Sequence, residues 1–435
     1  MKIALFPLAA VGCGPNFDTI ANPAIHIEND RFVYVGPREG APYFEADETL
    51  ESEHLVAMPG LINTHTHAGM TLLRGYADDM ALEPWLRTKI WPFEANLSGD
   101  DVFVATLLAC AEMIRGGTTT FCDLYFHERR GVEAAIQSGL AMCPGAVLLG
   151  FLPGADEKIR QTRDFLRDFR GHELINPFLA PHSLYTCEAN QWEQLIAIAR
   201  EEKAIITTHI AETRREVADV TEKWGQSPVQ TLKKIGALDG HLLAAHCVYT
   251  DETDREIMAQ TPFFVAHNPQ SNLKLASGIA PVADYLKRGI TVGLAPDGTA
   301  SNNNLDMWEE MRLAATLHKA ATLDATAVSA EQALKMATIE GARCLGLGAQ
   351  TGSLEAGKRA DLVLVDFDKP HLYPRHNITS LLVYSAGAGD VHSTLVNGQF
   401  LLRNGQFQTL DVGKIQSDCE RRANELAGKA RPVQA

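Results

Sequence analysis

Short apolar runs alternate with longer amphipathic stretches through the middle of the chain. The apolar runs end in polar residues and occupy 58–67, 118–126, 141–150, 175–183, 204–212, 241–248, 263–269 and 291–298. Between them apolar residues recur at helical spacing, as in 189–203 and 282–289. Eight strands alternating with helices over roughly 290 residues predict an α/β protein with a parallel (β/α)8 barrel. An open doubly wound sheet is the alternative, although no GxGxxG motif follows the first strand.

The two ends of the chain, 1–55 and 350–410, have a different pattern. Their apolar runs are short and are divided by Gly, Pro and Asn. The second end contains two NGQF segments, and Asn-Gly between apolar runs predicts a β-hairpin. We therefore expect residues 1–55 and 350–435 to form one small β-sandwich, with the barrel, 56–349, inserted between its two parts. The last stretch, 414–430, has the pattern of a surface helix.

Composition and charge narrow the set of partners. The chain has 435 residues, 46% of them hydrophobic, which is enough for one large and one smaller domain. Its net charge of -15 repels phosphate backbones and anionic lipids. No apolar run approaches the roughly 20 residues of a membrane span. Nucleic acid and membrane are therefore not expected partners, and a small molecule is.

The eight cysteines contain no CxxC pair, and several lie within apolar runs. This usage is typical of buried thiols in a reducing compartment, so we expect a cytoplasmic protein. The first fourteen residues, MKIALFPLAAVGCG, resemble either a short export signal or a first β-strand. Pro7 and the single positive charge favour the strand. We also expect a homo-oligomer.

Candidate chemistry lies at the carboxyl ends of the predicted strands, which converge on one face of a barrel. His65 and His67 are two residues apart and so point to the same side of a strand. Later strands end in further polar residues: His209, Glu212, His246 and Asp297. Taken singly, a strand-end histidine is more often an ordinary polar residue, and Asp-Gly is more often a turn. Together they form a plausible site for one divalent ion with a position left for water.

Several segments carry a resemblance to a known family. They are PGLINTHTHAGM, HIAET, AAHCV, HNPQSNLKLASGIAP, LAPDGTASNNN and GSLEAGKRADLVLVD. In this order they resemble the amidohydrolase superfamily, and most of all its branch of 5'-methylthioadenosine/S-adenosylhomocysteine deaminases. The resemblance covers nearly the whole chain. It implies a distorted (β/α)8 TIM-like barrel with a β-sandwich, and hydrolytic deamination of an adenine nucleoside at C6, giving an inosine-type product and ammonia.

The resemblance also implies roles for the strand-end residues. The metal ligands would be His65, His67, His209 and Asp297. Asp297 would take a proton from the attacking water, and Glu212 would protonate the purine ring and help ammonia leave. His246 would orient the nucleophile and stabilise the tetrahedral intermediate. Two-metal members use a lysine at strand four, and 175–187 contains none. We therefore expect one ion, zinc by preference, with iron or manganese open.

Substrate-binding residues are implied by the same resemblance. The segment 82–97 resembles the family's lid, in which Trp85 would pack on the ligand and Glu94 would accept hydrogen bonds from the ribose. The alternative is an ordinary amphipathic helix with a core tryptophan. His182 matches a purine contact. We interpret three further residues as fixing loops: His267, Asn272 and Lys274. His127 has no assigned role.

The third predicted strand and the segment after it indicate which 5'-substituents of the nucleoside are preferred. Family members that accept S-adenosylhomocysteine hold its carboxylate with arginines, and Ala146 lies where we align one of them. No arginine lies between Arg130 and Arg160. Lys158, Arg160 and Arg163 would compensate only in part. We therefore expect neutral substituents to be preferred, 5'-methylthioadenosine first, then 5'-deoxyadenosine or adenosine, with S-adenosylhomocysteine behind.

Two kinds of alternative function remain open from the sequence. One is another hydrolase of the same scaffold, acting on guanine, cytosine or a chlorotriazine. The other is a metal-binding protein without catalysis. Such a protein would need the ligands but would have no reason to keep both Glu212 and His246.

Overall fold

A computed structural model describes residues 1–430 of the chain. The first part of the chain forms seven strands, β1 (Lys2–Phe6), β2 (Ala9–Cys13), β3 (Asp18–Ala21), β4 (Pro23–Glu28), β5 (Arg31–Pro37), β6 (Glu48–Glu51) and β7 (Leu55–Pro59). The residues of MKIALFPLAAVGCG thus lie in β1 and β2, as the strand interpretation predicts, and Pro7 lies between them.

Eight parallel strands follow, each beside the next. They are β8 (Leu61–Thr66), β9 (Thr118–Asp123), β10 (Ala141–Leu148), β11 (Phe178–Pro181), β12 (Ile206–Ile210), β13 (Leu242–His246), β14 (Phe263–His267) and β15 (Thr291–Leu294). The barrel closes between its first and last strands, where Thr66 and Asp297 form a parallel bridge. The hydroxyl of Thr64 also donates to the carbonyl of Leu294 at 2.9 Å. The predicted barrel is confirmed.

The β-sandwich contains strands from both termini. The C-terminal part adds β16 (Leu362–Asp366), β17 (Val391–Val396), β18 (Gln399–Arg403) and β19 (Gln406–Phe407). One sheet has the order β5-β4-β1-β6 and the other the order β19-β18-β17-β16-β7-β2-β3. Their shared core includes Leu5, Ile25, Phe32 and Leu364. Asn397-Gly398 and Asn404-Gly405 have positive φ and form the two predicted hairpin turns.

The run predicted as a single strand over 58–67 is two strands. β7 lies in the sandwich and β8 in the barrel, and Gly60 joins them. A side chain at Gly60 would overlap Thr119 on the neighbouring barrel strand. The apolar pattern continues across the junction because both strands are buried on both faces, and so it does not reveal the break.

Helices surround the barrel and cover its ends. The longer ones are Gly99–Arg115, Glu128–Ser138, Ala155–Asp168, Ala189–Glu202, Arg214–Trp224, Glu252–Gln260, Met307–Thr322 and Val412–Lys429. The shorter ones are Pro228–Lys234, Pro269–Lys274, Val282–Lys287, Ala330–Met336, Ile339–Cys344 and Ile378–Tyr384. Local sequence fixes their starts, as at Ser98, whose hydroxyl accepts from the Asp101 backbone while Asp101 accepts from the Ser98 backbone. Val412–Lys429 corresponds to the predicted surface helix.

The segment after β8 forms a bent helix over the barrel mouth. It begins as an α-helix (Leu82–Trp85), widens to a π-helix (Leu86–Ile90) and returns to an α-helix (Trp91–Glu94). Pro92 lacks an N–H group and cannot continue a regular α-helix, so the widened turns precede it. No helix within residues 1–430 has the length and apolar character that crossing a membrane requires.

Candidate active site

The carboxyl ends of three barrel strands bring the predicted metal ligands into one cluster. His65 lies in β8 with His67 directly after it, His209 lies in β12, and Asp297 follows β15. The Nε2 atoms of His65 and His67 lie 3.4 and 3.3 Å from Oδ1 of Asp297. Nε2 of His209 lies 3.4 Å from Nε2 of His67. His65, His67 and Asp297 thus form one triad of ligand atoms that could hold an ion, and His209 lies beside His67.

The hydrogen bonds of the cluster suit a cation. His67 donates from Nδ1 to the Leu124 carbonyl at 2.6 Å, and His209 donates from Nδ1 to the His182 carbonyl at 2.7 Å. In both rings Nε2 therefore faces the cluster and is the atom that a cation can bind. The two ring nitrogens of His65 and Oδ1 of Asp297 are buried without a hydrogen-bond partner among residues 1–430. Ligands about 2.0–2.1 Å from a tetrahedral ion are about 3.4 Å from one another, which matches the separations here. The residues present fit a bound divalent metal.

Asp297 uses its two oxygens differently. Oδ2 accepts hydrogen bonds from the hydroxyls of Ser271, at 2.6 Å, and Ser301, at 3.0 Å. Oδ1 has no such partner and faces His65 and His67. The two serines therefore fix the carboxylate and leave one oxygen for the cluster.

Burial sets the protonation of most of the rings. It lowers the pKa of His65 to about 4 and that of His182 to about 3, and it lowers the pKa of His209 well below its usual value. These rings are neutral at pH 7, the form that binds metals. Burial also opposes the charge on His67, but the nearby Asp297 outweighs it and raises the pKa of His67 to about 9. A cation that binds here displaces this proton.

Glu212 and His246 lie at the edge of the cluster. Oε2 of Glu212 is 3.8 Å from Nε2 of His246, and Oε1 accepts a hydrogen bond from the Ser277 hydroxyl at 3.1 Å. His246 donates from Nδ1 to Oδ1 of Asn272 at 2.9 Å, which directs its Nε2 toward Glu212 and the cluster. Burial raises the pKa of Glu212, which favours the protonated carboxyl. The pair therefore offers a proton carrier beside an oriented imidazole. His246 can also complete a second ligand triad with His65 and His209.

The backbone at these strand ends has an unusual conformation. Ala211, His246, Cys247 and Asp297 have φ values of 53°, 73°, 47° and 65°. Residues with a Cβ atom rarely adopt this left-handed region, which costs about 1–3 kcal/mol each. The surrounding packing and hydrogen bonds therefore hold the site residues in place against local preference.

A pocket above the cluster has about 780 Å³ of empty space, including its open mouth. The four predicted substrate-binding residues line it, together with the other two candidate catalytic residues: Trp85, Glu94, His182, Glu212, His246 and Asp297. Trp85 and Glu94 come from the bent helix, and Trp85 is fixed by a hydrogen bond from Nε1 to the Ala77 carbonyl at 3.0 Å. The candidate substrate-binding and catalytic residues therefore share one pocket.

The remaining residues singled out in the sequence have structural positions. Asn272 orients His246, His267 contacts His318 with their Nε2 atoms 3.0 Å apart, and Lys274 contacts Asp78 and Asn303. Asn272 thus acts on a site residue as well as on its loop. His127 is exposed and precedes the helix Glu128–Ser138.

Ala146 does not face the pocket. It packs with the outer layer of the barrel, and the neighbouring Val147 lines the pocket together with Leu149. The residues of β10 and its end that face the pocket are therefore Val147 and Leu149, which the sequence does not reveal because both faces of the strand are apolar. The three cations after β10 are paired elsewhere: Lys158 with Glu128, Arg160 with Glu157, and Arg163 with Glu201. None of them lines the pocket.

Tyr125 and Glu216 are among the site residues that the sequence does not reveal. The Tyr125 hydroxyl donates to Oε1 of Glu94 at 2.8 Å, and Tyr125 lines the pocket after β9. The position of Tyr125 at the end of a predicted strand was the sequence feature that could have indicated a role in the site. Glu216 accepts hydrogen bonds from the backbone of Ala211 and Glu212, and nothing in its helical pattern distinguishes it from a solvated glutamate.

The sequence profile of the amidohydrolase family matches residues 56–401. The chain belongs to this family. It is 43% identical over 429 residues to the 5-methylthioadenosine/S-adenosylhomocysteine deaminase of Desulfitobacterium hafniense (strain DSM 10664 / DCB-2), covering 98% of this chain and 99% of the relative. The enzyme of the same name from Dictyoglomus thermophilum is 45% identical over 386 residues, 88% of this chain and 90% of that one.

A solved structure is also similar over the whole length. The crystal structure of an adenosine deaminase from Xanthomonas campestris with bound zinc superimposes with a TM-score of 0.95. It is 34% identical in sequence, and the match covers 98% of both chains. The barrel and the sandwich are therefore the architecture of a known deaminase.

Proposed function

We propose that the protein is a metal-dependent aminohydrolase that deaminates adenine nucleosides at C6 and releases ammonia. The observation that carries this proposal is Glu212, a buried carboxyl that faces the pocket 3.8 Å from His246 and beside the metal cluster. A ring nitrogen must be protonated to make C6 electrophilic, and Glu212 is placed to do so. The relatives named as deaminases support the same reaction.

We assign the ion to His65, His67, His209 and Asp297, and zinc suits three imidazoles and one carboxylate. One ion is expected, because β11 contains no lysine to bridge a second. When bound, the ion lowers the pKa of water and so supplies a nucleophile at neutral pH. His246 sits outside this set because Asn272 holds its ring and Glu212 faces its Nε2.

The residues around the ion complete the reaction. Oδ1 of Asp297 accepts a proton from the attacking water, and Ser271 and Ser301 hold that carboxylate in place. The oxygen adds to C6 as Glu212 delivers its proton to the adjacent ring nitrogen. His246 stabilises the oxygen of the tetrahedral intermediate. The C6–N bond then breaks as the proton held by Asp297 reaches the amino group and ammonia leaves. The C6 hydroxyl gives its proton to Glu212, which leaves the inosine-type C6 carbonyl and restores the acid.

The pocket supports a nucleoside substrate. His182, neutral because of burial, is placed to hydrogen-bond the purine, and Trp85 supplies an apolar wall. Glu94 is placed to accept hydrogen bonds from the ribose hydroxyls, with Tyr125 fixing one of its oxygens. Trp85 and Glu94 already line the pocket in this structure.

Apolar residues supply the part of the wall suited to the 5'-substituent: Leu86, Trp91, Phe126, Val147 and Leu149. Within residues 1–430, no arginine or lysine lines this pocket. A carboxylate there would lose its hydrogen bonds to water without gaining a guanidinium. We therefore propose that neutral 5'-substituents such as methylthio are preferred.

The experiment that tests the function is an ultraviolet assay of deamination with bound metal measured on the same sample. The substrates are 5'-methylthioadenosine, adenosine, S-adenosylhomocysteine, guanine, cytosine and a chlorotriazine. Turnover of adenine nucleosides, with the other classes inactive, supports the proposal. Turnover confined to another class would replace it, and no turnover by a metal-loaded protein would favour a binding role.

A further inference from the structure

The carboxylate of Glu216 is buried below the loop that carries Glu212. Its two oxygens accept hydrogen bonds from two successive backbone N–H groups, that of Ala211 at 2.8 Å and that of Glu212 at 2.7 Å. Only 7% of Glu216 is exposed. This buried side chain thus binds the backbone of a candidate catalytic residue, and it also lines the pocket.

The position of Glu216 in its helix makes these contacts unusual. Glu216 is the third residue of the helix Arg214–Trp224, which Thr213 caps. In a capping box, a glutamate at this position returns to the N–H group of the cap residue itself. Here Glu216 reaches past Thr213 to the two residues before it, which connect β12 to the helix. Its hydrogen bonds therefore serve the loop rather than the start of the helix.

The loop needs such support because Ala211 has a φ of 53°. Alanine disfavours this left-handed conformation, so neighbouring groups must hold it. The carbonyl of Ala211 accepts hydrogen bonds from the N–H groups of Val248, at 3.0 Å, and Tyr249, at 2.9 Å. Glu216 binds the N–H group of the same residue. Ala211 is thus fixed on both sides, and the direction of the next residue, Glu212, is fixed with it.

We propose that Glu216 is a positioning residue, which holds the backbone of Glu212 so that its carboxyl points at the purine ring. This inference rests on the proposed function, in which Glu212 carries the proton. Beyond its backbone, the Glu212 carboxyl has a hydrogen bond from Ser277 alone among the described residues, at 3.1 Å. The direction of the proton carrier therefore depends mainly on its backbone, and the backbone depends on Glu216.

Glutamine cannot replace Glu216 in this role. Its side chain has nearly the same shape, but only one of its two terminal atoms is an acceptor. In Glu216→Gln the amide nitrogen would face a backbone N–H group, and one buried donor would lose its partner. The substitution therefore disturbs the orientation of Glu212 with little change in volume.

A double-mutant cycle tests the proposal. We would measure kcat, KM, metal content and Tm for the wild type, Glu216→Gln, Glu212→Gln and the double variant with 5'-methylthioadenosine. We expect Glu216→Gln to lower kcat at least about thirtyfold, with KM changed less than about threefold and metal content unchanged. In the Glu212→Gln background, Glu216→Gln should lower kcat less than about threefold, because Glu216 acts through the Glu212 carboxyl.

A matched control separates positioning from general stability. Asp254 is also a buried third-position helix carboxylate, and it lies in the helix Glu252–Gln260. Asp254→Asn should lower Tm and leave kcat unchanged. If Glu216→Gln does not fold, Ala211→Gly combined with it removes the strained conformation and permits the same cycle, since glycine adopts positive φ freely.

Two results would overturn the inference. The first is that Glu216→Gln lowers kcat by the same factor in the wild-type and Glu212→Gln backgrounds. Glu216 would then act by a route that does not involve the Glu212 carboxyl. The second is normal kcat in folded Glu216→Gln. Failure of the proposed function has a different signature, because Glu212→Gln alone would then retain normal activity or the wild type would not deaminate nucleosides.

Discussion

Thr66 and Asp297 pair directly across the seam at which the barrel closes. The hydroxyl of Thr66 donates to the Asp297 carbonyl at 2.6 Å, and the N–H group of Asp297 donates to the His65 carbonyl at 3.2 Å. Residues of both closing strands therefore belong to the metal cluster. A cation bound there contacts the first and the last strand together, so that metal binding and barrel closure are linked.

Removal of the metal should cost both activity and stability. We expect about one divalent ion per chain, and chelation followed by dialysis should abolish activity and lower Tm by roughly 10 °C, because the ion stabilises only the folded cluster. Zinc should restore both. His65→Asn should lose the ion, whereas His241→Gln, at the opposite end of β13, should keep it. Two ions per chain, or full activity after chelation, would contradict this assignment.

Glu212 should act in chemistry and not in metal binding. Glu212→Gln keeps the shape of the side chain but cannot deliver a proton, so we expect activity to fall at least about a hundredfold with metal content unchanged. Glu222→Gln, an exposed position on the helix Arg214–Trp224, is the matched control and should be active. Loss of metal along with activity would instead make Glu212 a ligand.

Binding of the ribose should depend on pH through Glu94. Burial raises the pKa of Glu94 to about 7, so this carboxyl is mostly protonated at pH 6 and ionised at pH 8. An ionised carboxylate accepts hydrogen bonds from both hydroxyls, so KM should fall by up to about tenfold as pH rises from 6 to 8. Glu94→Gln should remove this dependence, and 2',3'-dideoxyadenosine should not show it with the wild type. The same pH dependence with the dideoxy substrate would exclude Glu94 as its cause.

The apolar wall should decide the order of substrates. We expect kcat/KM to be highest for 5'-methylthioadenosine, lower for 5'-deoxyadenosine and adenosine, and lowest for S-adenosylhomocysteine. Leu149→Arg should raise the ratio for S-adenosylhomocysteine over 5'-methylthioadenosine by about tenfold or more, because it adds a guanidinium to the wall. The measurement is kcat/KM for all four nucleosides under one condition.

An equal or higher rate with S-adenosylhomocysteine would contradict this order. The arginines nearest the mouth would then be the first to test. Arg87 and Arg215 line a groove that adjoins the pocket, and both contact Glu83 on the bent helix. Loss of the S-adenosylhomocysteine rate in Arg215→Ala would identify the group that holds the carboxylate.

Local pattern predicted the fold because each barrel strand is a short apolar run followed by a helix. The same rule predicted that His65, His209 and Asp297 lie together, since the carboxyl ends of parallel strands meet at one face. The prediction failed where a strand is buried on both faces, because apolar and polar residues then no longer alternate along it. That is why the break at Gly60 and the inward face of β10 were missed.

The sequence also did not reveal the residues that orient other site residues. Tyr125 touches Glu94 across 31 positions of the chain, and Ser271 touches Asp297 across 26. Glu216 is close in sequence to Glu212, but its burial depends on the barrel packed around it. A single sequence shows which side chains can do chemistry, while the groups that orient them depend on how separate loops approach.

The junction at Gly60 has a consequence for synthesis of the chain. β7 pairs with β16, so Pro59 lies opposite Leu362, and the ribosome makes the entire barrel between the two. Until β16 leaves the ribosome, the edge of β7 that pairs with it is unpaired. Unpaired edges of apolar strands promote aggregation. The sandwich can therefore form only after translation of the barrel. We expect folding to be slow and helped by chaperones, and truncation before β16 to yield insoluble protein even though every metal ligand is present.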